Sequence, residues 1–136
     1  MIQLEEKIVN CEPTGDKMLL GNAFPMTLIR RHVVRIEECA IDDLSKEARR
    51  RGVVSYWGHE NTRAAAECRL GVDLRPKSNR PAIVLDRDGY PMLDGASYRT
   101  CYVLSPNYRD GFRPAIGAEV GGEDIVDWNA LKLTWD

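Results

Sequence analysis

Long apolar runs are missing from this sequence. No stretch approaches the roughly 20 consecutive apolar residues that a helix needs to cross a bilayer. The opening residues, MIQLEEKIVN, carry neither the basic start nor the apolar centre of a secretory leader. The expectation is a cytoplasmic protein with no membrane partner. Cysteine and histidine are sparse as well. The four cysteines, Cys11, Cys39, Cys68 and Cys101, form no C-x-x-C pair, and the two histidines are His32 and His59. Those spacings do not match the usual zinc sites. The thiols are expected to be reduced and mostly buried, as small hydrophobes. No metal and no cofactor is expected. Nor is there an excess of positive charge: the net charge is -2. That argues against a broad basic surface for long nucleic acid. A compact anion is a different matter, because a few well-placed arginines suffice to hold it. A P-loop and a dinucleotide fingerprint are both lacking, and neither Ser55 nor Ser105 sits in a nucleophile elbow.

What is present reads as a mixed α/β protein. The 136 residues fit one domain, with an N-terminal extension over 1–16. Residues 17–24 read as a buried strand running into a Gly-Asn turn, and the β-branched residues 32–37 as a second strand. A helix is predicted over 42–51, with Ile41, Leu44 and Ala48 on one face, Asp42 or Asp43 as its cap, and Gly52 as its stop. Residues 53–57 read as a strand, 62–70 as a second helix closed by Gly71, and 81–85 and 90–93 as a hairpin around Asp86-Arg87-Asp88-Gly89. Turn chemistry accounts for Asp86-x-Asp88 without a metal. A strand over 98–104, an extended loop over 105–124 and a closing strand in which Leu131, Leu133 and Trp135 share a face complete the chain. The sum is a mixed sheet of five or six strands with two or more helices packed on it. The first helix would join two parallel strands.

The chemistry concentrates between Val53 and Gly71. A buried strand ends at Trp57, Gly58 permits a tight turn, His59 follows, and Asn61 or Thr62 would cap the next helix. Helix N-termini attract phosphate. A histidine beside one can bind an anion or give a proton to a leaving oxygen, although a lone histidine beside a cap also serves structural ends. Arg80 before a strand and Arg109 after one could complete an anion site, since the guanidinium fork pairs with phosphate oxygens. Each alone also reads as an ordinary surface residue.

Several pieces in order resemble the family of small viral and prokaryotic ring nucleases that act as type III anti-CRISPR proteins. Leu19-Leu20-Gly21-Asn22-Ala23-Phe24 resembles its strand running into Asn-Ala-Phe, and Gly58-His59-Glu60-Asn61-Thr62 its Gly-His turn into a helix. Leu70-Gly71 followed by Asn79-Arg80-Pro81, and Tyr102-Val103 followed by Arg109, are similar to its later signatures. The likeness spans roughly residues 17–112. It departs from the family at Pro25, where the family has Ser, and at Asp110, where a Glu is expected a few residues farther on.

The resemblance implies a homodimer that binds cyclic tetra-adenylate across its two-fold axis. It assigns catalysis to His59, with Asp110 in the place of the family's acid, and ligand binding to Asn22, Arg80 and Arg109, with Asn61 and Thr62 at the helix start. The implied reaction is metal-independent cleavage to linear products ending in a 2′,3′-cyclic phosphate. Two other readings remain open from the sequence: a sponge that binds a cyclic nucleotide without cleaving it, and a nucleic-acid-binding or host-interaction protein that shares only the fold.

Overall fold

The computed structural model describes residues 17–30, 32–58, 60–77, 82–113 and 122–136. A five-stranded mixed sheet runs in the order β2-β8-β7-β1-β3, and a separate three-stranded sheet in the order β4-β5-β6. The elements of the large sheet are β1 (Met18–Gly21), β2 (Val34–Cys39), β3 (Val53–Ser55), β7 (Thr100–Tyr108) and β8 (Ile125–Trp135). Those of the small one are β4 (Val84–Leu85), β5 (Pro91–Leu93) and β6 (Ala96–Ser97). Helices α1 (Ile41–Arg51) and α2 (Glu60–Leu70) complete the fold. No helix among the described residues is long and apolar enough to cross a membrane.

Alternation along the strands gives the large sheet two apolar faces. Met18 and Leu20 of β1, Tyr102 and Leu104 of β7 and Ala130 of β8 pack with Leu44 and Ala48 of α1 and with Ala66 and Leu70 of α2. Leu19, Cys101, Leu133 and Trp135 point the other way and meet Leu93, Ala96 and Tyr98 around the small sheet. The large sheet is thus the middle of three layers. Ser45 is buried on α1, and its hydroxyl donates to the Leu70 carbonyl at 2.9 Å, tying the two helices together where α2 ends.

The first helix does join parallel strands, but these are not neighbours. β1 is parallel to both β3 and β7, while β8 is antiparallel to β7 and to β2. It follows that β2 and β3 point the same way from opposite edges of the sheet. The connection through α1 therefore spans β8, β7 and β1.

Four expectations need correction. Neither Asp42 nor Asp43 caps α1: Ala40 is the cap residue, without a side-chain hydrogen bond, and both acids lie in the first turn. There they favour the positive end of the helix dipole. Asp42 also takes a 2.6 Å bond from Arg69 of α2, which lowers its pKa. Asn61 and Thr62 do not cap α2 either, because the helix already begins at Glu60. The loop expected over 105–124 is shorter: β7 continues to Tyr108 and β8 starts at Ile125, paired as a ribbon with Pro106 opposite Trp128. Beyond Val103, β7 no longer has β1 beside it, so a proline without an N–H is tolerated there. Residues 114–121 of that loop, like the extension over 1–16, lie outside the described residues. Among the described cysteines, Cys101 is buried and Cys39 half-buried, but Cys68 is exposed.

The small sheet holds a strand that the sequence reading passed over. β5 and β6 are joined by Asp94-Gly95, with φ of 53° and 85°. Two consecutive positive φ values define the tight hairpin turn that Asp-Gly favours.

Asp86 anchors the other hairpin. Its Oδ1 accepts from the amides of Asp88 and Tyr90, and its Oδ2 from the Ser97 hydroxyl at 2.7 Å. Burial pushes the Asp86 pKa up, but the Ser97 and backbone hydrogen bonds outweigh it and leave the carboxyl below its ordinary value. A depressed folded pKa means that the contribution is present above the unfolded value, near 3.9, and is lost as the pH falls through the folded one. Denaturant midpoints measured across acidic pH should therefore drop in wild type below about pH 4, and Asp86→Asn should flatten that part of the profile.

Gly21 of β1 leaves no room for a side chain. A Cβ there would collide with Cδ2, Cε2 and Cζ of the Tyr56 ring. The ring passes over β1, and its hydroxyl reaches β7, 2.9 Å from Cys101 Sγ and donating to the Tyr102 carbonyl at 3.2 Å. Overpacking this contact with Gly21→Ala should destabilise the fold by about 3 kcal/mol. Tyr56→Phe keeps the ring and loses only the hydroxyl bonds, at about 1 kcal/mol. Chemical denaturation of the two variants would check the order.

Candidate functional site

In α/β sheets, ligands gather at the carboxyl ends of parallel strands. Here β1 and β3 lie side by side and end together at Gly21 and Ser55. The chain leaving β3 is held at three successive amides. Tyr56 N–H donates to the Leu20 carbonyl at 3.0 Å, Trp57 N–H to Ser55 Oγ at 3.1 Å, and Gly58 N–H to Asn22 Oδ1 at 2.9 Å. Ser55 Oγ in turn donates to the Leu74 carbonyl at 2.6 Å. The turn that precedes α2 is therefore built from both strands and from the loop after α2.

Asn22 is half-buried and meets this turn directly, so one predicted ligand residue is a brace of the Gly58 turn. Thr62 is buried, and its hydroxyl accepts from Trp57 Nε1 at 3.3 Å, which joins α2 to the core side of the same turn. Asn61 is in the first turn of α2, but its side chain lies outside the described residues, as do His59 and Arg80.

Arg109 and Asp110 stand apart from the turn in this chain. Gly21 is level with Val103 on β7, and Arg109 follows six residues later. At about 3.3 Å per residue, that is roughly 20 Å beyond the end of β1. Both residues are exposed near the tip of the β7–β8 ribbon. Arg109 Nε donates to Asp124 Oδ1 at 2.8 Å, and its guanidinium lies 5.0 Å from the centre of the Phe112 ring.

Two buried groups near the turn are held neutral. Burial, the Cys101 sulfur and the hydrogen bond to it push the Tyr56 phenol far above its ordinary pKa. Burial raises the Cys101 thiol to about 12, partly offset by its hydrogen bond with Tyr56. Neither is an available nucleophile near neutral pH. The residues that sequence reasoning did not assign are Ser55, Tyr56 and Gly21 as supports of the turn. Only the sharp Gly21-Asn22 break hinted at them, because their partners lie 19 to 46 residues away along the chain.

Compared with known proteins, the chain matches no protein-family profile and no curated protein sequence. It is similar in structure to B116 of Sulfolobus turreted icosahedral virus, a viral protein. The superposition has a TM-score of 0.56 and 14% identity, and covers 87% of this chain and 98% of that one. At that identity the two share a fold.

Proposed function

We propose that this chain is a metal-independent ring nuclease that opens a cyclic oligoadenylate, with cyclic tetra-adenylate the first ligand to test, and so counters type III CRISPR signalling. The observation that carries the reading is the turn at Tyr56-Trp57-Gly58, fixed at three consecutive amides and leading into α2. A rigid turn of this kind is what a general acid needs at the residue that follows, because proton transfer depends on a held geometry. His59 follows in the sequence. The overall likeness to a viral fold agrees with the reading without specifying the chemistry.

In this mechanism a ribose 2′-oxygen attacks the adjacent phosphorus. The O2′–P bond forms as the P–O5′ bond breaks, and the 2′ proton passes to solvent or to a nearby base. His59 gives a proton to the departing 5′-oxygen. Arg80 and Arg109 stabilise the charge on the phosphate oxygens. Asp110 orients the histidine or takes part in proton transfer. The substrate supplies its own nucleophile, so the chemistry asks only for alignment and proton transfer. Arg109 donates Nε to Asp124, and its terminal nitrogens would pair with the phosphate oxygens. Its distance from the Asn22 turn within one chain fits a site shared by two copies, as in a homodimer.

Incubation with cyclic tetra-adenylate in EDTA, resolved by chromatography, should yield linear diadenylate with a 2′,3′-cyclic phosphate end. His59→Ala should slow turnover by about 10²–10⁴-fold and leave binding in place. An intact ring that still binds would instead make the protein a sponge. Asn22→Ala frees the Gly58 amide and should lower kcat by about tenfold with a smaller change in stability, of about 1 kcal/mol. Single-turnover rates and denaturation midpoints separate the two effects.

A further inference from the structure

We propose that the cleft between α1 and the end of α2 is a second binding site, which takes the phosphate group of a small phosphate monoester such as a sugar phosphate. The cleft has a volume of about 380 Å³, within the range of small-ligand pockets. Its cations come from both helices: Lys46 and Arg49 from α1, and Arg69 from α2. Asp42 is the one acid that lines it. Three cations against one carboxylate leave two positive charges, which a phosphate monoester dianion neutralises near pH 7.

Asp42, Lys46 and Arg49 follow one another at helical spacings of four and three, so they share one face of α1. Arg69 donates to Asp42 Oδ1 at 2.6 Å, which holds its guanidinium at the cleft. Arg49 Nε donates to the Ser45 carbonyl at 3.3 Å, and its stem passes Gly71, where a Cβ would stand 3.2 Å from Arg49 Cδ. The glycine that closes α2, with φ of 76°, therefore also makes room for this arginine. The other nitrogens of both guanidiniums would pair with the phosphate oxygens. Lys46 is exposed and adds a point charge between them in sequence. The last carbonyls of a helix normally repel an anion. Here the Leu70 carbonyl accepts from the buried Ser45 hydroxyl at 2.9 Å, and the Glu67 carbonyl from the Gly71 amide at 2.8 Å. Hydrogen bonds within the protein thus already offset part of that repulsion.

The cleft lies at the far end of α2 from the Gly58 turn. The 11 residues of that helix separate the two by roughly 16 Å. The site therefore stands whether or not the nuclease reading holds. Cys68 also lines the cleft and is exposed, so a filled cleft covers a thiol that reagents reach when it is empty.

Amide chemical-shift mapping of the full chain at low salt, with ribose 5-phosphate as the probe, tests the proposal. Amides of residues 42–49 and 68–71 should shift and saturate, with a dissociation constant on the order of 1 mM, while the Gly58 amide stays in place. Ribose without the phosphate should move none of them. Inorganic phosphate should bind at the same amides: equal affinity would show that the cleft reads the phosphate alone, and weaker affinity that the sugar adds contacts. Lys46→Gln and Arg49→Gln, both at exposed positions, should each weaken binding about fivefold by removing one charged donor. As a second readout, saturating ribose 5-phosphate should slow alkylation of Cys68 by iodoacetamide several-fold and leave Cys39 unaffected, followed by peptide mass mapping. Shifts that do not saturate or that centre on Gly58, equal shifts with ribose, variants that bind like the wild type, or an unchanged Cys68 rate would overturn the proposal. Binding centred on Gly58 would do so without touching the nuclease reading.

Discussion

The carboxyl edge of the large sheet depends on the contact between the Tyr56 ring and the bare backbone of Gly21. The ring leaves β3, crosses β1 and ends at β7, so three parallel strands are fixed at one level by a single side chain. No other residue can stand at position 21 without moving it. Once Tyr56 is placed, its amide is committed to Leu20, and the next two amides fall to Ser55 and Asn22. The direction in which the chain leaves for α2 then follows from the strands themselves.

That arrangement separates support from chemistry. Tyr56 and Cys101 are polar in name, but burial holds both neutral, and they act as packing with a hydrogen bond inside it. Thr62 belongs to the same class, its hydroxyl turned to the Trp57 indole. Charge is kept to the outside, on the ribbon tip with Arg109 and Asp124, and along the exposed helices. Beyond Leu104 the two strands of this projecting arm pair only with each other among the described residues.

Much of this was legible in the sequence, where local pattern and final structure agree. Ile41, Leu44 and Ala48 mark the buried stripe of α1, and Leu131, Leu133 and Trp135 the inner face of β8. The Asp86 turn was readable because its hydrogen bonds close within a few residues. The ribbon was not: Pro106 and the polar run Asp127-Trp128-Asn129 look like loop, and they become strand because each strand supplies the other's partner. The Asp94-Gly95 hairpin was not legible, because its flanking strands are too short for alternation to show. At the candidate site, the Gly58 turn and Asn22 were both visible, yet the bond that joins them spans 36 residues and has no local signature.

The strand order has a consequence for synthesis. β8 lies between β2 and β7, yet it begins roughly ninety residues after β2 starts. At typical elongation rates, β2 leaves the ribosome on the order of 5–20 seconds before the neighbour that completes its ladder. During that interval the six-residue strand lacks β8, its one ladder partner among the described residues. The charges of Arg35, Glu37 and Glu38 around Ile36 favour hydration of the unpaired strand until the middle of the sheet is made.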